Sequence, residues 1–279
     1  MKISAVFRIS LFAASIFAAP HPNGGLARRV ERRTEARATR TSNPLKIIGS
    51  AHIADAGNGT RVQYSSNWAG AILTAPPARE TFDAVSGQFV VPTPAAPAGG
   101  GNGDYSASIW VGIDGDTYGN AIWQSGIDMS ISDGELSFAA WYEWYPNPSV
   151  DISDFSFSAG DTISITVSSS SKSQGSVVLE NTSTGQSVNK SASAPSSSTV
   201  LGGQNAEWIV EDYDVGGSQV AFADFGIVLF TDAVASTSSQ SVGTDGATIV
   251  DIKASNGDIL TDVTIPSSSE VQIVYEPAS

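Results

Sequence analysis

The sequence predicts an all-β protein, an antiparallel β-sandwich, and three observations carry that reading. Strand-like runs recur roughly every 8 to 15 residues beyond Val62, separated by Gly, Pro, Asp, Asn or Ser. Apolar and polar residues alternate with period two, most cleanly at Ile163, Ile165 and Val167. No long stretch keeps the 3.6-residue spacing of an amphipathic helix. Packing one sheet on another is how such strands bury their apolar faces.

In chain order, the first element is not part of that domain. Lys2 and Arg8, an apolar run over 11–19 and the small pair Ala18 and Ala19 form the pattern of a secretory signal peptide, residues 1–19. The run is too short for a membrane span. Residues 20–61 carry eight basic side chains against three acidic ones, a net charge of +5, centred on RRVERRTEAR. Residues 62–279 carry four basic against 25 acidic side chains, a net charge of −21. Such a domain repels nucleic acid and anionic membranes, which excludes both as partners. A basic tract between a signal peptide and an acidic domain predicts a propeptide that inhibits the domain it precedes. Its arginines would pair with carboxylates at neutral pH and be released when acid protonates them. The boundary is expected near residues 61 and 62, leaving a secreted, extracellular, monomeric domain over 62–279. Asn-X-Ser/Thr triplets at Asn58, Asn181 and Asn189 fit that compartment.

Within the domain the strand candidates follow as FDAVSGQFVVP, YSASIWVGI, AIWQSGIDMSI, WYEWY, DTISITVSS, SVVLEN, AEWIVED, VAFADFGIVLF, ATIVDI and VQIVYE. The Pro/Ala/Gly tract over 92–103 and the Ser-rich tract over 191–203 read as long surface loops. With no cysteine in the chain, no disulfide can staple these strands, so stability has to come from a core of adequate size.

Strand parity then assigns faces. Trp110 and Asp114 share one face of their strand, as do Gln124 and Asp128, the trio Trp141, Glu143 and Tyr145, and the pair Glu207 and Glu211. The opposite faces carry Val111 and Ile113, Trp123 and Ile127, Tyr142 and Trp144, and Trp208 and Val210, which suits a core. If these strands are neighbours, one sheet presents carboxylates, an amide and aromatic walls together, and large aromatics on such a face mark binding.

The chemistry open to that face is narrow. The only histidines, His21 and His52, precede the domain. Ser-His and Cys-His nucleophiles, histidine-ligated zinc and thiolate-bound metals are therefore excluded from it. Asp114, Asp116 and Gly119 match the opening of a calcium loop, but Tyr118 and Ser125 stand where further ligands belong, so neither metal nor cofactor is expected. A carboxylate can serve as base toward water in an acidic medium, and a carboxamide can stabilise an oxyanion. The residues alone leave three readings open: an acid peptidase, a jelly-roll glycoside hydrolase using Glu143 and Glu211 beside Trp110 and Trp141, and a lectin-like module without catalysis.

Six strings bear on that choice: YSSNWAGAIL, WVGIDGDT, AIWQSGID, AWYEWYP, NAEWIVED and VAFADFG, in this order over 64–226. Together they resemble the glutamic peptidases, or eqolisins, of filamentous fungi, and the resemblance extends over essentially all of 62–279. It implies a lectin-like jelly-roll sandwich of two large sheets with a substrate groove, and a secreted, pepstatin-insensitive acid endopeptidase acting on protein and peptide substrates. It further implies a catalytic dyad of Gln124 and Glu211. The Glu activates water and protonates the leaving nitrogen, while the Gln amide stabilises the oxyanion. Trp68, Trp110, Asp114, Asp128, Glu143 and Tyr145 fall in matching strings and are expected to bind substrate or support the dyad. Some relatives have cysteines in strings corresponding to GDTY and the segment around Met129, where this chain has none, which leaves the loop at Tyr118 without disulfide support.

Overall fold

The computed structural model describes residues 37–49 and 62–278, and Ala36–Ser279 falls in one compact unit. The predicted signal peptide, both histidines, Asn58 and Arg61 at the expected cleavage point lie outside the described residues. The strands are β1 (Arg40–Thr41), β2 (Val62–Ser65), β3 (Trp68–Leu73), β4 (Ala84–Val90), β5 (Asp104–Ile113), β6 (Ile122–Ser132), β7 (Glu135–Tyr145), β8 (Val150–Asp151) and β9 (Thr162–Ser171). They continue as β10 (Gln174–Asn181), β11 (Gln186–Ser193), β12 (Ala206–Glu211), β13 (Asp214–Val215), β14 (Ser218–Gln219), β15 (Ile227–Ser236), β16 (Ser241–Val242), β17 (Thr248–Ile252), β18 (Thr261–Thr264) and β19 (Val271–Tyr275).

Two eight-stranded sheets form the predicted sandwich. One has the order β2-β17-β3-β12-β5-β6-β7-β8; the other runs β11-β10-β9-β4-β15-β19-β18, with β16 on β15. Pairing is antiparallel throughout except for β2 with β17. Ser65 Oγ accepts the N–H groups of Asn67 and Trp68 at a tight reversal. This sets β2 and β3 on either side of β17, so one of them has to run parallel to it.

The core fills the space between the sheets. Ile163, Ile165 and Val167 of β9 and Val85 and Phe89 of β4 point inward from one sheet. From the other come Ile109, Val111, Trp123, Ile127, Trp144, Trp208 and Val210, as parity predicts. The inward indoles also fasten the layers. Trp208 Nε1 donates to the Ser86 carbonyl at 2.7 Å, Trp123 Nε1 to Ser168 at 3.0 Å and Trp144 Nε1 to Thr199 at 2.9 Å. Each buried donor thereby keeps a partner while its ring fills the core. Gly175 of β10 makes room for one of them, since a Cβ there would lie 2.3 Å from Trp123 Nε1.

One of the glycosylation triplets is consumed by this packing. Asn181 is fully buried, and its Nδ2 donates to the Ser156 carbonyl and to Asp161 while its Oδ1 accepts from Ser183 and Thr184. Its amide belongs to the fold and is not open to a glycan; Asn189 is exposed.

Candidate active site

The outer face of the β12-β5-β6-β7 run is where the polar residues gather, because strand register lines them up in transverse rows. One row reads Glu207, Gly112, Gln124, Glu143; the next reads Ile209, Trp110, Gly126, Trp141; a third reads Glu211, Ser108, Asp128, with Trp68 of β3 beside Glu211. Directly opposed residues of antiparallel strands project to the same side, so each row is a line of side chains on one face. Gly126 is small by necessity: a Cβ there would lie 2.5 Å from Trp110 Cβ. The indole of Trp110 can therefore lie across the sheet.

That indole links the two members of the expected dyad. Its Nε1 donates to Glu211 Oε2 at 2.9 Å. At its other end, Cζ3 lies 2.9 Å from the point a Cβ on Gly112 would occupy, and Gln124 Cβ lies 3.1 Å from the same point. Trp68 meets Trp110 edge to face, with centroids 4.9 Å apart, and walls the Glu211 side. Trp68, Trp110, Trp141, Ile72, Ile122, Ile209 and Val250 form an apolar cluster separate from the main core, against which Tyr145 packs.

Residues 37–49 run over this face. Arg40 is fully buried in it, with Nε and Nη2 each 3.1 Å from one oxygen of Asp128, and Nη1 2.9 Å from Glu143 Oε2. Nη1 and Nη2 also donate to Ser42 and Ser108, and the guanidinium carbon lies 3.7 Å from the Trp141 ring centroid and 4.8 Å from that of Tyr213. This is the fork geometry that suits arginine and not lysine. Backbone follows side chain: the Ser42 N–H donates to Glu143 and the Asn43 N–H to Glu211, 3.3 Å from Oε1. The segment is secured at its flanks by Arg37 on Asp128 and Asp151, Lys46 on Asp214, and β1 pairing with β13.

Electrostatics separate these acids. Burial opposes ionisation of Asp128, but Arg40 and Arg37 outweigh it and hold the carboxylate below its ordinary range. Glu143 shares Arg40 but not Arg37, and burial pushes it up to about 8. Burial also raises Glu211, to about 7, against the pull of Arg40, Ser42, Trp110 and Asn43. Gln124 is fully buried, and neither end of its amide has a hydrogen-bond partner among the described residues.

Of the residues singled out from sequence, Gln124, Glu211, Trp68, Trp110, Asp128, Glu143 and Tyr145 stand on this one face. Asp114 does not join them. It sits just past β5 with φ 72°, and its carboxylate accepts the N–H groups of Gly202, Gly203 and Gln204 at 2.7 to 3.0 Å. It anchors the end of the Ser-rich loop. Asn205 completes the joint, its Oδ1 accepting from Asp116 and Tyr118, so hydrogen bonds brace the cysteine-free loop at Tyr118. No group of three or more potential metal ligands occurs among the described residues. Tyr213 and Ser108 contact Arg40 without any sequence signal marking them; Arg40 itself carried only the signal of a basic tract.

Comparison with known proteins places this arrangement. Residues 66–275 match the peptidase A4 family. Aspergillopepsin-2 of Aspergillus niger is 43% identical over 293 residues, covering 99% of this chain and all of that protein. Scytalidopepsin B of Scytalidium lignicola is 37% identical, covering 95% and 96%. Among solved structures, scytalido-glutamic peptidase with a transition-state analogue inhibitor superposes with a TM-score of 0.66 at 38% identity, over 76% of this chain and 98% of that one. Aspergilloglutamic peptidase from Aspergillus niger gives 0.58 at 48% identity, over 62% and 99%. These matches decide among the peptidase, glycosidase and lectin readings: the chain belongs to the peptidase A4 family, the eqolisins, and is a glutamic endopeptidase.

Proposed function

We propose that the protein is a secreted acid endopeptidase in which Glu211 and Gln124 carry out peptide hydrolysis, made as a zymogen closed by residues 37–49. The observation that supports this most directly is the indole of Trp110, with Glu211 hydrogen-bonded at one end and Gln124 beside the other, on the face the 37–49 segment covers. Ionised Glu211 takes a proton from water as the water attacks the scissile carbonyl. Gln124 Nε2–H donates to the oxyanion that forms, and Glu211 returns the proton to the leaving nitrogen. Asp128, Glu143, Trp68 and Tyr145 line the substrate path, and Asp114 acts through the loop it anchors.

In this scheme the closing segment keeps the full chain idle at neutral pH. The Asn43 N–H occupies Glu211 Oε1, the oxygen available to water once Trp110 has taken Oε2. Displacing the segment rehydrates Glu211, which favours its carboxylate, and also removes the pull of Arg40, Ser42 and Asn43, leaving Trp110 as its donor. The test is digestion of a denatured protein at about pH 3, with and without pepstatin, by the acid-processed chain. Cleavage unaffected by pepstatin is expected, with Glu211→Gln and Gln124→Ala both inactive and both folded; full activity in either variant overturns the dyad.

A further inference from the structure

Glu207 has no part in that scheme, yet it is the most exceptional acid on the face. It is fully buried, and neither carboxyl oxygen has a hydrogen-bond partner among the described residues. A buried acid left this way is costly unless something makes use of it. Its position shows what that is. Glu207 and Gln124 stand in one transverse row with only Gly112 between them, about 9 to 10 Å apart at Cα by two strand spacings. Gly112 has no side chain to separate them, and the point its Cβ would occupy is 2.9 Å from Glu207 Oε1 and 3.1 Å from Gln124 Cβ. The carboxyl of Glu207 and the Cβ of Gln124 thus meet over the same glycine, and each of these two side chains ends in a buried polar group without a partner among the described residues.

We propose that Glu207, protonated, donates its O–H to Gln124 Oε1 and thereby points the Nε2 donors into the groove. This rests on the reading of Gln124 as oxyanion donor and deepens it. A carboxamide has an acceptor end and a donor end of nearly equal shape, and the wrong end would place an oxygen against the oxyanion. Only a donor at Oε1 sets the orientation, and a neutral carboxyl supplies one. The terminal torsions of both side chains are soft, so rotation about them can bring the two groups into the pair. The surroundings keep the proton on. Burial, then Asp114 and Asp116 from the loop after β5, disfavour the charged form, and no Lys or Arg among the described residues pairs with it. Ile72 flanks it from β3, Gly112 from β5, and Gln124 lies beyond on β6, none of them charged. Deprotonation would reverse the arrangement, drawing Nε2–H toward the carboxylate and away from substrate. Glu207 is therefore a positioning residue that sets an alkaline limit on turnover.

Glu207→Leu and Glu207→Gln are made in the full chain, converted in acid by a tagged trace of the parent enzyme that is then removed, and compared in kcat, KM and pH profile. Leu removes an unpaired buried acid and should fold; kcat is expected to fall roughly 10- to 100-fold, a part of what an oxyanion donor supplies, with KM within about threefold. Gln keeps an N–H donor, so kcat in acid should recover to within about threefold of the parent while the alkaline limb moves to higher pH. Parent-like kcat in Glu207→Leu, or equal impairment in Glu207→Leu and Glu207→Gln, or an alkaline limb unmoved in Glu207→Gln, each overturns the proposal. Gln124→Ala separates the two readings: an active Gln124→Ala enzyme removes the dyad, whereas an inactive one beside parent-like Glu207 variants removes only the role of Glu207.

Discussion

The two faces of the β12-β5-β6-β7 run are built from the same strands by alternate residues, and they obey opposite rules. On the inner face no carboxylate occurs, and Trp123, Trp144 and Trp208 each give their N–H to a backbone carbonyl outside this sheet. On the outer face, Trp110 gives its N–H to a carboxylate, Trp68 and Trp141 have no acceptor among the described residues, and the polar atoms of Gln124 and Glu207 have no hydrogen-bond partner there. Satisfied polar groups mark the face that holds the fold together; unsatisfied ones mark the face that meets another molecule. Side-chain parity alone divides stability from chemistry here.

The largest effects should separate cleanly along that division. Trp208→Ala is expected to cost about 3 to 5 kcal/mol of stability, by the scale of large-to-small core substitutions, and to leave little folded protein at 37 °C. Glu211→Gln on the other face should lower kcat by on the order of 10³ or more while its melting temperature stays close to that of the parent chain. Calorimetry and peptidase assays on both variants test the division together. A Glu211→Gln chain that melts as early as Trp208→Ala would break it.

Next in size is the buried guanidinium. Arg40→Ala strips the cation from Asp128 and Glu143, and breaking such a buried pair typically costs about 3 to 5 kcal/mol. The cost falls on the covering segment, so the full chain should be processed faster at about pH 6, followed by gel electrophoresis. Arg40→Lys should recover only part of the hold, because an ammonium cannot engage both oxygens of Asp128 and lie over the Trp141 ring in the same way. Equal processing rates for parent and Arg40→Ala would show that the segment is held elsewhere.

The pH dependence has opposite signs in the two places. Asp128 is depressed by Arg40 and Arg37, so its contribution to the closed state is present above its ordinary pKa and lost as pH falls through the depressed value. Burial raises Asp212 to about 8 and Asp251 to about 7, so their contribution is full below the ordinary carboxylate range and is lost as pH rises through those values. Acid should therefore release the covering segment while it stabilises the domain beneath. In a Glu211→Gln chain, which does not digest itself, the melting temperature of the domain should decline between about pH 5 and 8, and Asp251→Asn should flatten that decline. A melting temperature that rises over this range contradicts the assignment.

How much of this was legible in the sequence follows from what alternation can encode. Period two placed Trp208 inward and Glu211 outward without any knowledge of neighbours, because the pleat fixes it. It could not show that β5, β6, β7 and β12 lie side by side, since that is set by contacts far apart in the chain. Asp114 illustrates the limit. Parity put it on the groove face, but the strand ends at Ile113, and the left-handed turn that follows sends its carboxylate to the 202–204 backbone. Arg40 illustrates another: net charge predicted basic side chains on acidic ones, yet selecting this arginine needed the spacing of Asp128 and Glu143 across two strands. The parallel pairing of β2 likewise rests on a two-residue reversal whose partner, β17, lies far downstream.

The smallest expected effect tests the comparison most finely, because it removes one N–H from each face and little else. Trp208→Phe and Trp68→Phe delete the same volume from two fully buried indoles. The first also strands the Ser86 carbonyl, which accepted at 2.7 Å, whereas the second removes a donor with no partner among the described residues. The cavity cost is common to both, so the difference between them reports the hydrogen bond, about 1 kcal/mol. Chemical denaturation of both variants in a Glu211→Gln background should place Trp208→Phe lower by that margin, with unchanged denaturant slope. If Trp68→Phe is the less stable of the two, the outer indole is contributing to the fold through its N–H after all, and an unpaired donor on this face can no longer be read as a mark of the binding surface.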